Sequence, residues 1–362
     1  MRFNKIAFLG LGLIGGSLAK AIKSANPGLV ISAYDRREVL EKALNEKVID
    51  RGLDAIDEAL DDDLIFLCFP VDKSIETFKN LIPKLNTGQV ISDVCSVKEI
   101  FHQIWNECGG NCSGFYIGGH PMAGKEKNGY EHSDSTLFEN SVYILSDSSK
   151  NFPTLKEFTD LIHSTGAHIT FLNPKVHDII VAAVSHLPQL LSVSLINSAV
   201  IKDSDINFFD FAAGGFRDMT RIAASDFNLW EPIIRYNQKN ILQAIDNFSY
   251  DLTELKRAIE KGNYKLLAEK FESARKKRDE IPKNTKGFIN PLFDIFVFVK
   301  DQPGVLATIT SSLYEAGINI KDLELLKIRL GSGGTFRISF ETQQDADKAK
   351  TIIESLGFTT RI

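Results

Sequence analysis

The stretch KIAFLGLGLIGGSLAKAIKSA, residues 5–25, decides the fold. Its first five residues are an apolar run that stops at Gly10, the pattern of a strand buried on both faces. Gly10, Gly12 and Gly15 then take the spacing G-x-G-x-x-G, and a helical pattern follows at once. The glycine spacing alone is a weak signal, but a strand before it and a helix after it give it mechanical meaning. The first glycine allows a tight turn, the second lets backbone approach a pyrophosphate, and the third lets helix pack closely on strand. Leu13, Ile14 and Gly15 open the helix, whose N-terminal N–H groups and positive dipole end suit phosphate. VISAYD (30–35) is the second strand and ends on Asp35, 20 residues past Gly15, placed to accept hydrogen bonds from an adenine ribose. Asp35 would repel a 2′-phosphate, which selects NAD over NADP, while Arg36 and Arg37 pull the other way.

Working outward, LIFLCF (64–69), GQVISDV (88–94), SVYILS (141–146) and HITFL (168–172) repeat the short apolar strand, with helical stretches between them. That is a βαβ array, a Rossmann-type doubly wound parallel sheet over residues 1–173. After Pro174 the alternation stops. VHDIIVAAVSHLPQLLSVSLINSAV, FNLWEPIIRYNQKNILQAIDNF and YKLLAEKFESARKKRDEI carry apolar residues at helical spacing, so 174–283 reads as an all-helical domain. Its apolar faces exceed what one small domain readily buries, which favours a homodimer. A proline- and glycine-bearing linker over 284–292 leads to residues 293–362. There the order is strand, helix, two strands, helix: a small βαββα, α+β domain.

Composition narrows the function. The 362 residues are 43% apolar and 25% charged with net charge −5, an ordinary globular balance without the basic footprint of a nucleic-acid binder. No apolar run approaches the roughly 18 residues of a membrane span. The chain enters a strand at its start, with no room for a signal peptide, and this points to the cytoplasm. Four cysteines, Cys68, Cys95, Cys108 and Cys112, make no disulfide framework in a chain this long. Cys108 and Cys112 lack a second ligand pair at finger spacing, so reduced thiols and no metal are expected.

The chemistry-bearing residues lie elsewhere. GGHPMAGKE (118–126) holds His120 between glycines and reads as a loop, 24 residues beyond Ser96 of the strand-end segment DVCSVK (93–98). In the helical region, SHLP (185–188) sets His186 beside a proline, and His177-Asp178 opens the same helix. GGFRDMTRIAASD (214–226) carries Arg217, Asp218, Arg221 and Asp226. Singly each has an ordinary explanation. His186 could be a satisfied interhelical histidine, His177-Asp178 a cap or supporting pair, the two arginines surface ion-pair partners, and Glu126 a solvated charge beside Lys125 and Lys127.

Together GGHPMAGKEKNG, DVCSVK, AAVSHLPQLLS and FRDMTRIAASDFNLW resemble the prephenate/arogenate dehydrogenase family of tyrosine biosynthesis, over roughly residues 1–283. DQPGVLATI and GINI in the tail resemble an ACT domain, a fold that commonly binds amino acids in allosteric control. The resemblance implies that His120 takes or holds the proton of the substrate's C4 hydroxyl as hydride leaves for NAD, and that Ser96 orients that hydroxyl. It implies Arg221 as the clamp for a substrate carboxylate, His186 in the same pocket, and Glu126 as a gate or ion-pair partner. It selects tyrosine as the effector. Asp301 and Gly304 of the DQPG turn would meet the amino acid's ammonium and carboxylate, with Asn319 nearby at the start of the next strand. Prephenate and arogenate, which differ in a keto against an amino group, both stay open as substrate. A β-hydroxyacid dehydrogenase, a pyrroline-carboxylate reductase and a non-catalytic NAD and amino-acid sensor are the competing readings. The histidine–serine–arginine set argues against all three.

Overall fold

The computed structural model describes residues 3–125, 127–199, 208–280, 292–300, 302–329 and 333–361. It divides into two compact units, residues 1–268 and 269–362. The 284–292 linker, apart from Leu292, lies outside the described residues, as do Glu126 and Asp301.

The first unit is built on eight strands: β1 (Lys5–Leu9), β2 (Val30–Tyr34), β3 (Arg51–Gly52), β4 (Leu64–Leu67), β5 (Val90–Asp93), β6 (Phe115–Pro121), β7 (Val142–Ser146) and β8 (His168–Leu172). Their order in the sheet is β3-β2-β1-β4-β5-β6-β7-β8. The first six are parallel, so the chain reverses direction of growth between β1 and β4, the switch point where dinucleotides bind. The sheet is not parallel throughout. β7 runs antiparallel to β6, and β8 is parallel to β7. Ile6, Phe8, Leu64, Phe66, Val90 and Ile117 face one buried layer, while Ala7, Leu9, Ile65, Leu67 and Ile91 face the other. Alternate side chains of each central strand thus feed two cores, which is why these runs are apolar without interruption.

Two departures from the sequence reading have clear causes. The two-residue β3 is too short to leave a periodic signal. The histidine segment is strand rather than loop, because FYIGGHP is β6. A side chain at Gly118 would collide with Ser146 and Tyr116, and one at Gly119 with the Asp93 carbonyl and Tyr143. These glycines permit close approach within the sheet, not a turn.

In the helical part, residues Pro174–Val181 are α-helical, Ala182–His186 form a π turn, and Leu187–Ser198 are α-helical again. Pro188 explains the π turn: its ring clashes with the carbonyl four residues back and it donates no hydrogen bond, so the helix widens there. The continuous helix Pro174–Ser198 is long and apolar enough to span a membrane by length and composition, with mean hydropathy 1.9 over its most apolar 18 residues, contrary to the expectation that no such run exists. Its polar residues interrupt the run in the sequence without lowering its mean enough. They are also its inner face: His177, Asp178, His186, Gln189 and Ser192 are buried, whereas Val176, Ile179, Ile180 and Val184 are exposed, Val184 by 62%. Helices Phe227–Tyr236, Gln238–Glu260 and Tyr264–Glu280 follow, with Gly262 in the left-handed region between the last two.

The second unit contains strands β9 (Phe293–Val299), β10 (Asp322–Arg329), β11 (Gly333–Phe340) and β12 (Thr359–Arg361) in the order β10-β11-β9-β12, all antiparallel. Helices Val305–Glu315 and Gln343–Ser355 pack on it through Ile309, Leu313, Ala346, Ala349 and Ile353. The order is βαββαβ. The expected βαββα pattern lacked β12, whose three residues Thr-Thr-Arg have no apolar alternation. Asn319 is exposed in the coil ahead of β10 rather than at its start. Gly304 caps helix Val305–Glu315 in a left-handed conformation and lines a cavity of about 230 Å³ with Gln302, Leu325 and Phe336.

Candidate active site

The glycine loop after β1 forms a cradle. Gly10 has φ +103°, donates its N–H to the Tyr34 carbonyl at 2.9 Å, and would press any Cβ against the Cys68 backbone at 2.9 Å. A Cβ on Gly15 would run into the Gly10 carbonyl and the Cys68 side chain. Around Gly12 there is open space, and helix Leu13–Ala25 starts there with no side-chain cap. The first-turn N–H groups of Leu13, Ile14 and Gly15 therefore face an uncrowded anion site at the positive end of a helix. Asp35 completes the cradle. One carboxylate oxygen accepts the Leu11 N–H at 2.6 Å and the other the Arg36 N–H at 2.7 Å. The acid at the end of β2 thus fixes the loop, and the residues present fit a dinucleotide.

Next to this loop in the sheet lie β4, β5 and β6. Ser96 is half-buried in the turn after β5, between two residues that lock the turn. Those are Asp93 and Lys98, a fully buried ion pair, with Tyr116 donating its hydroxyl to Asp93 at 2.7 Å. His120, near the end of β6, is half-buried, and its Nδ1 lies 2.8 Å from Nε2 of His177. His177 Nδ1 lies 2.7 Å from Asp178 Oδ1. Asp178 in turn accepts the Lys98 N–H at 2.8 Å and the Glu99 N–H at 2.9 Å. It therefore caps helix Glu99–Cys108 from a different helix, and joins the helical part to the turn that carries Ser96.

His186 is buried in the same helix as His177. Its Nδ1 is 3.2 Å from Asn237 Nδ2, which also donates to the Asp178 carbonyl at 2.8 Å, and the ring meets Trp230 edge-on. Its Nε2 is buried without a hydrogen-bond partner among the described residues. Since an amide nitrogen only donates, Nδ1 accepts and Nε2 carries the hydrogen. An unsatisfied donor is thus held in the site, a costly arrangement unless a ligand oxygen meets it.

Burial sets the electrostatics. Desolvation, then the neighbouring His177, Lys98 and His186, hold the His120 imidazole well below its ordinary pKa. Burial brings His186 down to about 4 and also lowers His177, against its hydrogen bond to Asp178, which raises it. All three imidazoles are neutral at pH 7, so His120 can act as a base.

Not every expected residue joins this cluster. Arg221 is exposed at the start of the turn Arg221–Ala224, which Gln189 ties to helix Leu187–Ser198 by donating to the Ile222 carbonyl at 2.9 Å. Asp226 caps helix Phe227–Tyr236, and the Arg217 guanidinium bonds the Ala212 carbonyl. Asn237 escaped the sequence reading altogether, since YNQKN is an ordinary polar helical stretch and only the fold shows that this amide is buried.

Three family models match in chain order: the nucleotide-binding domain of prephenate dehydrogenase over residues 18–171, its dimerization domain over 173–273, and an ACT domain over 293–358. Among curated relatives, prephenate dehydrogenase of Bacillus subtilis is 32% identical over 97% of this chain and 96% of its own. That of Lactococcus lactis is 33% identical over 97% and 98%. The chain belongs to the prephenate dehydrogenase family. It is an NAD-dependent oxidoreductase. A crystal structure of prephenate dehydrogenase from A. aeolicus, in complex with hydroxyphenyl propionate and NAD+, covers 78% of this chain and 99% of that one at 30% identity and a TM-score of 0.71. Cyclohexadienyl dehydrogenase of Zymomonas mobilis, 33% identical over 76% of this chain and 95% of its own, shows that family members carry a second substrate name.

Proposed function

We propose that this chain catalyses the NAD-dependent oxidative decarboxylation of prephenate to 4-hydroxyphenylpyruvate. The observation that carries the reading is a neutral, desolvated His120 on the strand beside the Ser96 turn, at the carboxyl ends of strands that adjoin the dinucleotide cradle. When bound, NAD+ would supply the acceptor for the hydride of ring C4. His120 accepts the proton of the C4 hydroxyl, which Ser96 orients. The developing C4 carbonyl receives, through the ring, the electron pair of the bond to the departing carboxylate, so CO2 leaves, the ring becomes aromatic, and the phenolate oxygen takes the proton back from His120. Aromatisation drives the reaction, and the protein's part is to position groups and hold one proton.

The His186 Nε2–H, otherwise unsatisfied, suits a substrate carboxylate oxygen. Arg221 supplies a planar fork for a carboxylate and Glu126 an ion-pair or gating partner, both by family resemblance. The apolar outer face of helix Pro174–Ser198 supports a homodimer made through the helical part. The ACT-like tail supports feedback by tyrosine at the Gly304 helix N-terminus, and the enzyme would work in the cytoplasm. The domain boundaries in this reading are 1–173, 174–283 and 293–362. Prephenate rather than arogenate is part of the proposal, supported by the two prephenate dehydrogenases that are 32% and 33% identical over 97% of this chain. Steady-state assays of both substrates with NAD+ and NADP+ test it. A kcat/KM for prephenate with NAD+ above the other three pairs is expected, and arogenate preferred over prephenate would overturn it.

A further inference from the structure

His120 does not stand alone. Its Nδ1 contacts His177, His177 contacts Asp178, and Asp178 is held by two backbone N–H groups, all within 2.7–2.9 Å. We infer that His177 and Asp178 are positioning residues for the reaction, a relay that fixes the proton on Nδ1 of His120 and so leaves its Nε2 as the acceptor. The inference rests on His120 being the base.

The hydrogen-bond inventory permits one neutral assignment. The Asp178 carboxylate can only accept, and its Oδ1 already takes the Lys98 N–H, so the hydrogen between it and His177 sits on His177 Nδ1. A neutral His177 then has a bare Nε2, which must accept from His120. The hydrogen of His120 is therefore on Nδ1, and the nitrogen on the opposite edge of the ring carries the lone pair. Burial keeps His177 neutral, as this scheme requires. When His120 takes the hydroxyl proton on Nε2, nothing leaves Nδ1. The imidazolium is held by the His177 lone pair and, beyond it, by the Asp178 charge. The other charged or titratable groups facing these rings are His186, which burial keeps neutral, and Lys98 and Asp93, whose charges offset each other as a buried pair. Asp178 is thus the uncompensated negative charge at the end of the relay.

His177→Gln and His177→Leu separate this role from packing. A glutamine can accept from His120 through its carbonyl and donate to Asp178 through its amide, whereas leucine does neither. With saturating NAD+ and prephenate, the leucine variant should lose on the order of 10²–10³ in kcat with KM nearly unchanged, within the scale of a general-base contribution. Glutamine should recover at least about tenfold of that loss. Asp178→Asn should move the acid limb of the kcat/KM profile to lower pH, because the imidazolium loses its distant counter-charge. NAD+ affinity by fluorescence titration reports whether each variant is folded, and the two His177 variants stand if Asp178→Asn does not fold. Equal kcat in the glutamine and leucine variants would overturn the relay. So would an unmoved acid limb in folded Asp178→Asn. His120→Asn in the same assay keeps the two readings apart. If it is slow while both His177 variants are fast, the base stands and the relay falls. If it is itself fast, the base reading has failed.

Discussion

Acidification should destabilise the first unit through its buried histidines. Two of them have folded pKa values near 4: His186 in the site and His102, whose Nε2 lies 2.7 Å from the Ser146 hydroxyl in a pocket away from it. Burial is the main cause in both. Unfolded, each would titrate near 6.5. The folded values are lowered, so the unfolded chain binds more protons, and stability falls as pH drops from about 6.5 toward 4. Evaluated at pH 5, each imidazole costs about 2 kcal/mol relative to pH 7.5, and the two together about 4. The chain's two tryptophans make the assay selective. Trp105 packs against Phe78 and Tyr116 in the first unit and Trp230 against His186, so urea unfolding followed by intrinsic fluorescence reports this unit. His102→Gln keeps a hydrogen-bonding group beside Ser146 but cannot titrate. Its loss of stability between pH 7.5 and 5 should be smaller than that of the unaltered protein by about 2 kcal/mol. Identical losses in the two proteins would refute the assignment of His102 as a buried neutral imidazole.

Three further outcomes are expected. Asp35→Ala should weaken NAD+ binding and narrow the preference for NAD+ over NADP+, because that carboxylate both holds the glycine loop at Leu11 and repels a 2′-phosphate; an unchanged cofactor ratio in kcat/KM would count against it. Arg221→Ala should raise KM for prephenate by about 2 kcal/mol or more and leave kcat less affected, as for a lost carboxylate partner; a change confined to kcat would exclude the clamp. Val184→Glu, which puts a charge on the exposed apolar face of helix Pro174–Ser198, should give a monomer by light scattering if that face is the dimer contact, whereas an unaltered dimer would move the contact elsewhere.

The cofactor half of the molecule was legible because its signals are local. Gly10, Gly12, Gly15 and Asp35 each act on neighbouring backbone, and the open space at Gly12 and the crowding at Gly15 are what the spacing implies. The substrate half was legible in part. His120 stood out as a residue type without a local purpose, whereas Ser96 and His186 gained roles only through the family resemblance, and His120 sits in a strand, which its flanking glycines disguised. The network around it was not legible. Asn237 is separated by 51 residues from His186, and Lys98 by 80 from Asp178, so their contacts exist only once the sheet and helical part pack together. The reversal at β7 was hidden for a similar reason: β7 carries the same apolar run whichever way it is inserted, and only its pairing with Gly119, His120 and Pro121 shows the direction.

The central claim is that His120 takes the proton of the C4 hydroxyl, and the most direct measurement is prephenate-dependent NADH formation by His120→Asn across pH. The account predicts a kcat lower by on the order of 10²–10⁴, a KM for prephenate within a fewfold of normal, and loss of the acid limb from the kcat/KM profile. A variant that keeps normal kcat, or that keeps the same acid limb at reduced rate, would contradict it.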